Sequence, residues 1–286
     1  GSNNDALLGR AIAWVRINRI REGIDQLKKL LEVNPNHTKG RKLLHELNLL
    51  FPQLNLPVTQ SELIQFATSP QAWKEILSFH SLLASDDYVA RQDSFYRSSI
   101  AQYGEFWWYL DIVNVLFAAS RKIKPKNYLE IGVRRGRSVC VVARGNPEIN
   151  IIGFDMWIPE YAGMDNPGSD FVRFELNKHG FKGNVTFVDG DSHVTVPHYF
   201  SQNPQEMFDL ITVDGDHSEE GAFDDLLNVI PHLNVGGILV FDDIAHPAHP
   251  YLLGVWKKTL SMFPNLFGYE YSESGYGVAF AIRVSE

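Results

Sequence analysis

Four carboxylates and a histidine fall within two short stretches of this 286-residue chain, Val213-Asp214-Gly215-Asp216-His217-Ser218 and Phe241-Asp242-Asp243-Ile244. Each stretch ends an apolar run of strand length. In a parallel sheet both ends would open on the same edge. Like charges crowded there are costly unless something neutralises them. A divalent cation does this well, and carboxylate ligands favour Mg²⁺, Ca²⁺ or Mn²⁺ over zinc. Helix capping is the competing use: Asp216 or Ser218 could cap a helix after the Asp214 strand. That accounts for one acid, not for four. His246 and His249 follow the Asp pair, but loop histidines are more often solvated.

A second constellation precedes this one. The run Leu129-Glu130-Ile131-Gly132-Val133-Arg134-Arg135-Gly136 places a glycine turn after an apolar strand. Such a turn lets the backbone approach a ligand closely. The spacing is E-x-G-x-x-x-G, not the dinucleotide fingerprint G-x-G-x-x-G, and it resembles an S-adenosylmethionine (SAM) loop. Asp155 ends the next strand, 19 residues after Gly136. A carboxylate there suits the two ribose hydroxyls of a nucleoside, with a helix cap as the alternative. Met156 and Trp157 follow it, and Trp157 is placed to pack on the nucleoside. Gly190-Asp191-Ser192 follows the third strand, where such enzymes contact adenine.

The elements that must position these residues read as strands alternating with helices. Strands are predicted at 128–132, 151–155, 185–189, 210–214 and 237–242, with helices near 136–144, 168–180, 194–202, 219–232 and 251–263. Continuous apolar strands separated by helices predict a parallel sheet covered on both faces. Two further strands, 267–272 and 278–284, flank Glu273-Ser-Gly-Tyr-Gly277 and read as a closing hairpin. The expected fold class is therefore α/β: a Rossmann-like sheet of parallel strands with a C-terminal antiparallel hairpin, the layout of a class I methyltransferase.

Upstream the pattern is helical. Residues 1–50 are expected as a helical segment, 51–60 as a Pro-bearing linker, 61–125 as a helical lid or cap, and 126–286 as the catalytic domain. One helix is predicted from Glu105 to Arg121, with Trp107, Trp108, Tyr109 and Phe117 as core. The spacing Gly23-x3-Leu27-x2-Leu30-x4-Pro35 resembles the second helix of a tetratricopeptide repeat, over little more than one unit. A helical cap on the main domain or on a second subunit is the competing reading.

Residues 126–286 resemble the metal-dependent O-methyltransferases related to macrocin O-methyltransferase, which act on sugar hydroxyls of natural products. The resemblance rests on LEIGVRRGRS at 129–138, FDMW at 154–157, VDGDS at 188–192, VDGDHS at 213–218 and GGILVFDDI at 236–244. It implies SAM as cofactor, contacted by Glu130, Gly132, Gly136, Asp155, Met156, Trp157, Asp191 and Ser192. It implies Mg²⁺ or another hard divalent cation on Asp214, Asp242 and Asp243, and a catalytic base on Asp216 or His217. His217 is preferred as base, because an unperturbed histidine titrates near pH ~6.5 and an aspartate near ~3.9. The implied activity is methyl transfer to a hydroxyl of a small molecule with vicinal hydroxyls, as sugars and catechols have. A non-catalytic adaptor, binding a protein partner through the helical extension, is the alternative. The acids at the sheet edge favour catalysis.

Composition bounds the rest. Hydrophobic residues make up 44% and charged residues 21%, with a net charge of −8, which argues for a folded globular chain and against a broad nucleic-acid surface. Residues 1–60 depart from this, with nine Lys/Arg against five Asp/Glu. That surplus points to assembly, a homo-oligomer or a protein partner, rather than to catalysis. The lone Cys140 excludes an intrachain disulfide and a cysteine-based zinc site. No apolar run reaches the roughly 18–20 residues of a membrane span. Gly1-Ser2 reads as a cloning remnant, no secretory leader is seen, and a cytoplasmic location is expected.

Overall fold

A computed structural model describes residues 2–51, 56–163 and 165–285. Residues 52–55 of the expected linker lie outside the described residues. The chain divides into two compact units, residues 1–59 and residues 60–284.

The first unit holds three helices, α1 (Ser2–Arg16), α2 (Ile20–Val33) and α3 (Thr38–Leu50). Its small core joins Ala11, Ile24, Leu27, Leu30 and Leu47. The 3–4 spacing of Ile24, Leu27 and Leu30 puts these on one face of α2, which is why that helix is strongly amphipathic. Asn34-Pro35 ends it, and the His37 side chain caps α3 by accepting from Gly40 N.

The second unit is built on a seven-stranded sheet. Its strands are β1 (Asn127–Ile131), β2 (Asn150–Asp155), β3 (Val185–Asp189), β4 (Phe208–Val213), β5 (Leu233–Asp242), β6 (Leu266–Tyr271) and β7 (Val278–Arg283). They lie in the order β3-β2-β1-β4-β5-β7-β6. β1 to β5 pair in parallel, and β7 runs antiparallel between β5 and β6. The strand order reverses between β1 and β4, so the crevice at their carboxyl ends is where such a sheet takes a ligand.

Five helices cover the sheet along the chain: α8 (Arg137–Gly145), α9 (Ser169–Lys178), α10 (Ser192–Gln202), α11 (Glu219–Val229) and α12 (Leu252–Met262). The central strands are buried on both faces, which explains their unbroken apolar runs. One core layer runs from Phe154 and Phe208 through Leu226 to Phe241 and Trp256.

Four helices of this unit precede β1: α4 (Gln60–Ala67), α5 (Pro70–His80), α6 (Asp87–Tyr103) and α7 (Ile112–Ile123). The predicted helix Glu105–Arg121 is corrected here. Only Gly104–Phe106 forms a 3₁₀ turn, residues 107–111 are not helical, and α7 begins at Ile112. The cause is a capping box: Asp111 accepts from Val113 N and Asn114 N, while the Asn114 side chain accepts from Asp111 N. Trp107 and Tyr109 are buried by this turn, but Trp108 is half exposed. α6 carried too few apolar residues to be predicted; of its residues only Tyr96 and Ser99 are buried. The Tyr96 hydroxyl donates to Asp111, which ties α6 to the cap of α7.

Candidate active site

The glycine turn after β1 is locked by its neighbours. Gly132 has φ +90°, and a Cβ there would stand 1.9 Å from the Asp214 carbonyl oxygen. Gly132 N donates to Phe154 O, and Asp214 N donates to Ile131 O, both at 2.9 Å. The ends of β1, β2 and β4 are thus one backbone junction. Gly136 (φ +72°) closes the turn and starts α8, with Val172 filling the space a side chain would need.

Glu130 sits beneath this turn, not in it. It is fully buried, and its carboxylate accepts from the Tyr128 hydroxyl and the Ser138 hydroxyl. Burial pushes its carboxyl up to about 8, against the lowering by Ser138 and Tyr128. Its place ties the first turn of α8 to β1.

Asp155 reaches the turn from β2. Its Oδ2 accepts from Arg134 N at 2.6 Å and its Oδ1 from Trp157 N at 2.5 Å. Each carboxylate oxygen keeps a further lone pair, and Asp155 is only partly buried. Met156 is exposed. Trp157 turns back through φ +52°, and its indole donates to Asp189 at 2.7 Å, joining the ends of β2 and β3. Asp191 caps α10 by accepting from His193 N at 3.0 Å, and Ser192 is the first residue of that helix.

A cleft opens on the glycine turn, lined by Gly132, Val133 and Arg134 on one side and by Asp86, Tyr88 and Val89 on the other. The N-terminal end of α6 thus roofs the turn. Two arginines hold it there. Arg135 pairs with Asp86 at 3.0 Å, and Arg137 donates to Gln92 and lies with its guanidinium 4.7 Å from the centre of the Tyr88 ring. These residues were not singled out from the sequence. Their signal was three arginines among the four residues 134–137, a surplus that a phosphate-free loop does not require.

Beside the cleft, Asp214, His217 and Asp243 bring one ligand atom each within 4.8 Å of one another. His217 Nε2 is 3.4 Å from Asp214 Oδ1 and 3.3 Å from Asp243 Oδ2. Nε2 is buried, and neither contact has hydrogen-bond geometry. Burial alone would lower the His217 imidazole, but Asp214 and Asp243 outweigh it and push it up to about 11. Burial, then the Asp243 charge, raises the Asp214 carboxyl, and burial with Asp243 and Asp214 raises Asp242.

Asp242, expected with Asp214 and Asp243, stands next to them but is not among the three whose ligand atoms lie within 4.8 Å of one another. Successive strand residues face opposite sides, and Asp243 leaves the strand through φ +61°. The Asp242 carboxyl feels Asp243 and Asp214 most strongly and Asp111 less, and it also lies within reach of Tyr109. His217 takes its place in the convergent set. Asp216 points elsewhere: its Oδ1 accepts from Ser218 N at 2.8 Å and its Oδ2 from Ser218 Oγ at 2.9 Å, while Ser218 caps α11. His249 stacks on His217 with ring centres 5.1 Å apart, and the Tyr251 hydroxyl donates to His217 O at 2.8 Å.

The residues present fit a cation. An orphaned buried nitrogen and two carboxylates, that of Asp214 raised by burial, lie within 4.8 Å of one another, a pattern that a positive ion relieves. They fit SAM too: a tight glycine turn after β1, a strand-end carboxylate at the turn, and a cleft at the switch point.

Residues 129–244 match the family described as "Methyltransferase domain". No curated protein gives a match. Among solved structures, the calicheamicin methyltransferase CalS11 is similar at 20% identity, over 75% of this chain and 93% of that one, with a TM-score of 0.46. The O-methyltransferase from Bacillus cereus, in complex with SAH, is similar at 16% identity over 70% and 93%, with a TM-score of 0.48. TomG from Streptomyces achromogenes, an O-methyltransferase involved in tomaymycin synthesis and bound to SAM, is similar at 18% identity over 72% and 94%, with a TM-score of 0.47. The family match and the strand order β3-β2-β1-β4-β5-β7-β6, with β7 alone reversed, agree. Residues 129–244 therefore carry a methyltransferase domain on a Rossmann-like sheet.

Proposed function

We propose that this protein transfers the methyl group of SAM to a hydroxyl oxygen of a small hydroxylated molecule, assisted by a divalent cation at the Asp214–Asp243 edge. The acceptor class is a sugar or another vicinal diol of a natural product. The observation that carries the reading is the convergence of Asp214, His217 and Asp243 beside the glycine turn.

SAM supplies a methyl group on a cationic sulfur, which an oxygen displaces in line. A divalent cation supplies positive charge that makes a neighbouring hydroxyl more acidic and fixes its position. The chain's own residues do the rest. Gly132 and Gly136 shape the turn on which the cofactor lies, the first by meeting the Asp214 backbone and the second by making room for Val172. Asp155 accepts from ribose hydroxyls with its free lone pairs, and Asp191 and Ser192 face the base. Trp157 packs on the nucleoside. Arg135 and Arg137, by holding Asp86 and Tyr88 over the turn, keep water from the cofactor.

Of the two residues expected to take the acceptor's proton, Asp216 has both oxygens engaged by Ser218 and holds the loop. His217 lies between the Asp214 and Asp243 carboxylates, which push its imidazole up, and a cation held by the same two carboxylates opposes that rise and leaves His217 as the base of this reading. In the same reading the first unit, with its surplus of positive charge and its exposed Leu49 and Leu50, serves assembly or a protein partner. Among the described residues no helix is long and apolar enough to cross a membrane.

Incubation of the protein with methyl-labelled SAM and hydroxylated sugars and catechols, with and without chelator, tests the reading. Label on an acceptor oxygen that disappears with chelator supports it. Failure to bind SAM sinks it.

A further inference from the structure

From the contacts around His193 we infer that the cofactor site selects a 6-amino purine over a 6-oxo purine, and that His193 and Asp225 are the positioning residues that set this choice through Asp191. This rests on the proposed reading in which Asp191 and Ser192 face the base of SAM. It adds which base edge is accepted and which groups behind Asp191 decide it.

Three observations carry it. The first is the array. His193, in the first turn of α10, stands among three carboxylates. Its Nδ1 lies 3.0 Å from Asp191 Oδ1, and its Nε2 lies 3.9 Å from both Asp216 Oδ2 and Asp225 Oδ1. The ring faces α11: Nε2 meets the Gly221 carbonyl oxygen at 3.3 Å, and a Cβ on Gly221 would stand 2.9 Å from His193 Cε1. A glycine at 221 is what lets the imidazole lie against α11. The second is burial. Asp225 is fully buried, and neither of its oxygens makes a hydrogen bond of good geometry. Burial raises its carboxyl, while the nearby Ser192 side chain and the His193 charge oppose the rise. A buried carboxylate so placed favours the charged imidazole. Burial alone would lower His193, but the Gly221 carbonyl and the charges of Asp225, Asp191 and Asp216 raise it.

The third is what the array leaves free. Asp191 Oδ1 takes the His193 Nδ1 contact and also accepts from His193 N at 3.0 Å. Oδ2 keeps its lone pairs for a ligand, and the Asp191 side chain is 49% exposed. An ionised carboxylate only accepts hydrogen bonds, whereas a protonated one also donates. The His193 charge beside Asp191 favours the ionised form. Asp191 then accepts from an exocyclic amino group. It meets a 6-oxo group acceptor to acceptor, an unpaired and repulsive contact. Asp225 acts one step further back: it holds the imidazole charged and aimed, and touches no ligand itself. Adenine, which carries the amino group, is taken, and hypoxanthine is refused.

The test is calorimetric binding of S-adenosylhomocysteine and of its 6-oxo counterpart, S-inosylhomocysteine, to the full chain, read as the ratio of the two affinities. The natural protein should bind the adenosyl compound ~10–100-fold more tightly. Asp191→Ala should bring the two affinities together. His193→Phe keeps a ring without its charge, and Asp225→Asn keeps the shape of the carboxylate. Each should cut the ratio by ~3–10-fold, with most of the loss on the adenosyl compound. His193→Lys restores a positive charge and should recover part of the ratio. Equal weakening of both ligands in folded His193→Phe and Asp225→Asn would mean that the pair only supports the fold, and overturns the inference. So does equal affinity for the two ligands in the natural protein, whichever variants fold. In that case the methyl-transfer reading still stands. If the natural protein binds neither ligand, the methyl-transfer reading falls, and the inference with it.

Discussion

Gly132 meets Asp214 through backbone atoms: a Cβ on Gly132 would lie 1.9 Å from the Asp214 carbonyl oxygen and 2.5 Å from its carbonyl carbon. The turn expected to carry the cofactor and the loop expected to carry the cation are therefore one rigid junction. Gly132→Ala forces both apart and also strains a residue at φ +90°. It should lower stability by about 1–3 kcal/mol or more and weaken SAM and metal together. Thermal unfolding and two calorimetric titrations check this; a variant that loses one ligand and keeps the other would separate the two loops.

Asp155 is held by Arg134 N and Trp157 N, so its carboxylate is already oriented before any ribose arrives. Asp155→Ala should weaken SAM binding by roughly 1.5–3 kcal/mol, the usual range for a hydrogen bond to a charged group. Calorimetry reads it directly, and unchanged affinity would remove Asp155 from the cofactor site.

The packing at the ends of α5 and α9 should be acid-labile. His80 and His179 are buried, their ring nitrogens have no hydrogen-bond partner, and Phe79 lies against His179 at 4.7 Å. Burial first, then the Arg137 charge, lowers His80 to about 4; burial lowers His179 to about 4 against the pull of Glu175. Both folded values lie below the unfolded value near ~6.5, so the neutral rings stabilise the fold fully above that pH. The contribution, on the order of 3 kcal/mol per histidine, is lost as pH falls from ~6.5 toward ~4. Unfolding midpoints between pH 7 and 4 should drop steeply in the natural protein and less in His80→Phe. A flat profile would show that neither ring gains a proton on unfolding.

The first unit has its own core, and the glycine turn, Asp155, Asp214 and Asp243 all lie in the second unit. Removing residues 1–59 should leave SAM affinity within about twofold, because no cofactor or cation residue lies in that segment. Light scattering reports any change in assembly. A truncated protein that folds but no longer binds SAM would place a needed contact in the first unit.

Much of this was readable from residue types. The buried central strands are continuous apolar runs, so β1 to β5 were found within a few residues, and Gly132 and Gly136 flagged the turn. The helices before β1 were harder. α6 is mostly polar, and the start of α7 is decided by the Asp111–Asn114 capping box, which an aromatic run from Trp107 to Tyr109 disguised as more helix. At the sheet edge the acids were legible as a group, but not their directions. Strand alternation and the positive φ of Asp243 bring His217 rather than Asp242 into the tight group with Asp214 and Asp243, and Ser218 engages Asp216. Arg135 and Arg137 act through partners some 45–50 positions away, Asp86, Gln92 and Tyr88, which no local pattern announces.

The most direct measurement is transfer of labelled methyl from SAM to a vicinal diol by the full chain, run with divalent metal and again with chelator. Product should form on an acceptor oxygen with metal and vanish with chelator or in Asp214→Asn, while SAM affinity changes little in the chelated sample. Methyl transfer that proceeds equally with chelator, or in Asp214→Asn, would contradict a cation held at this edge.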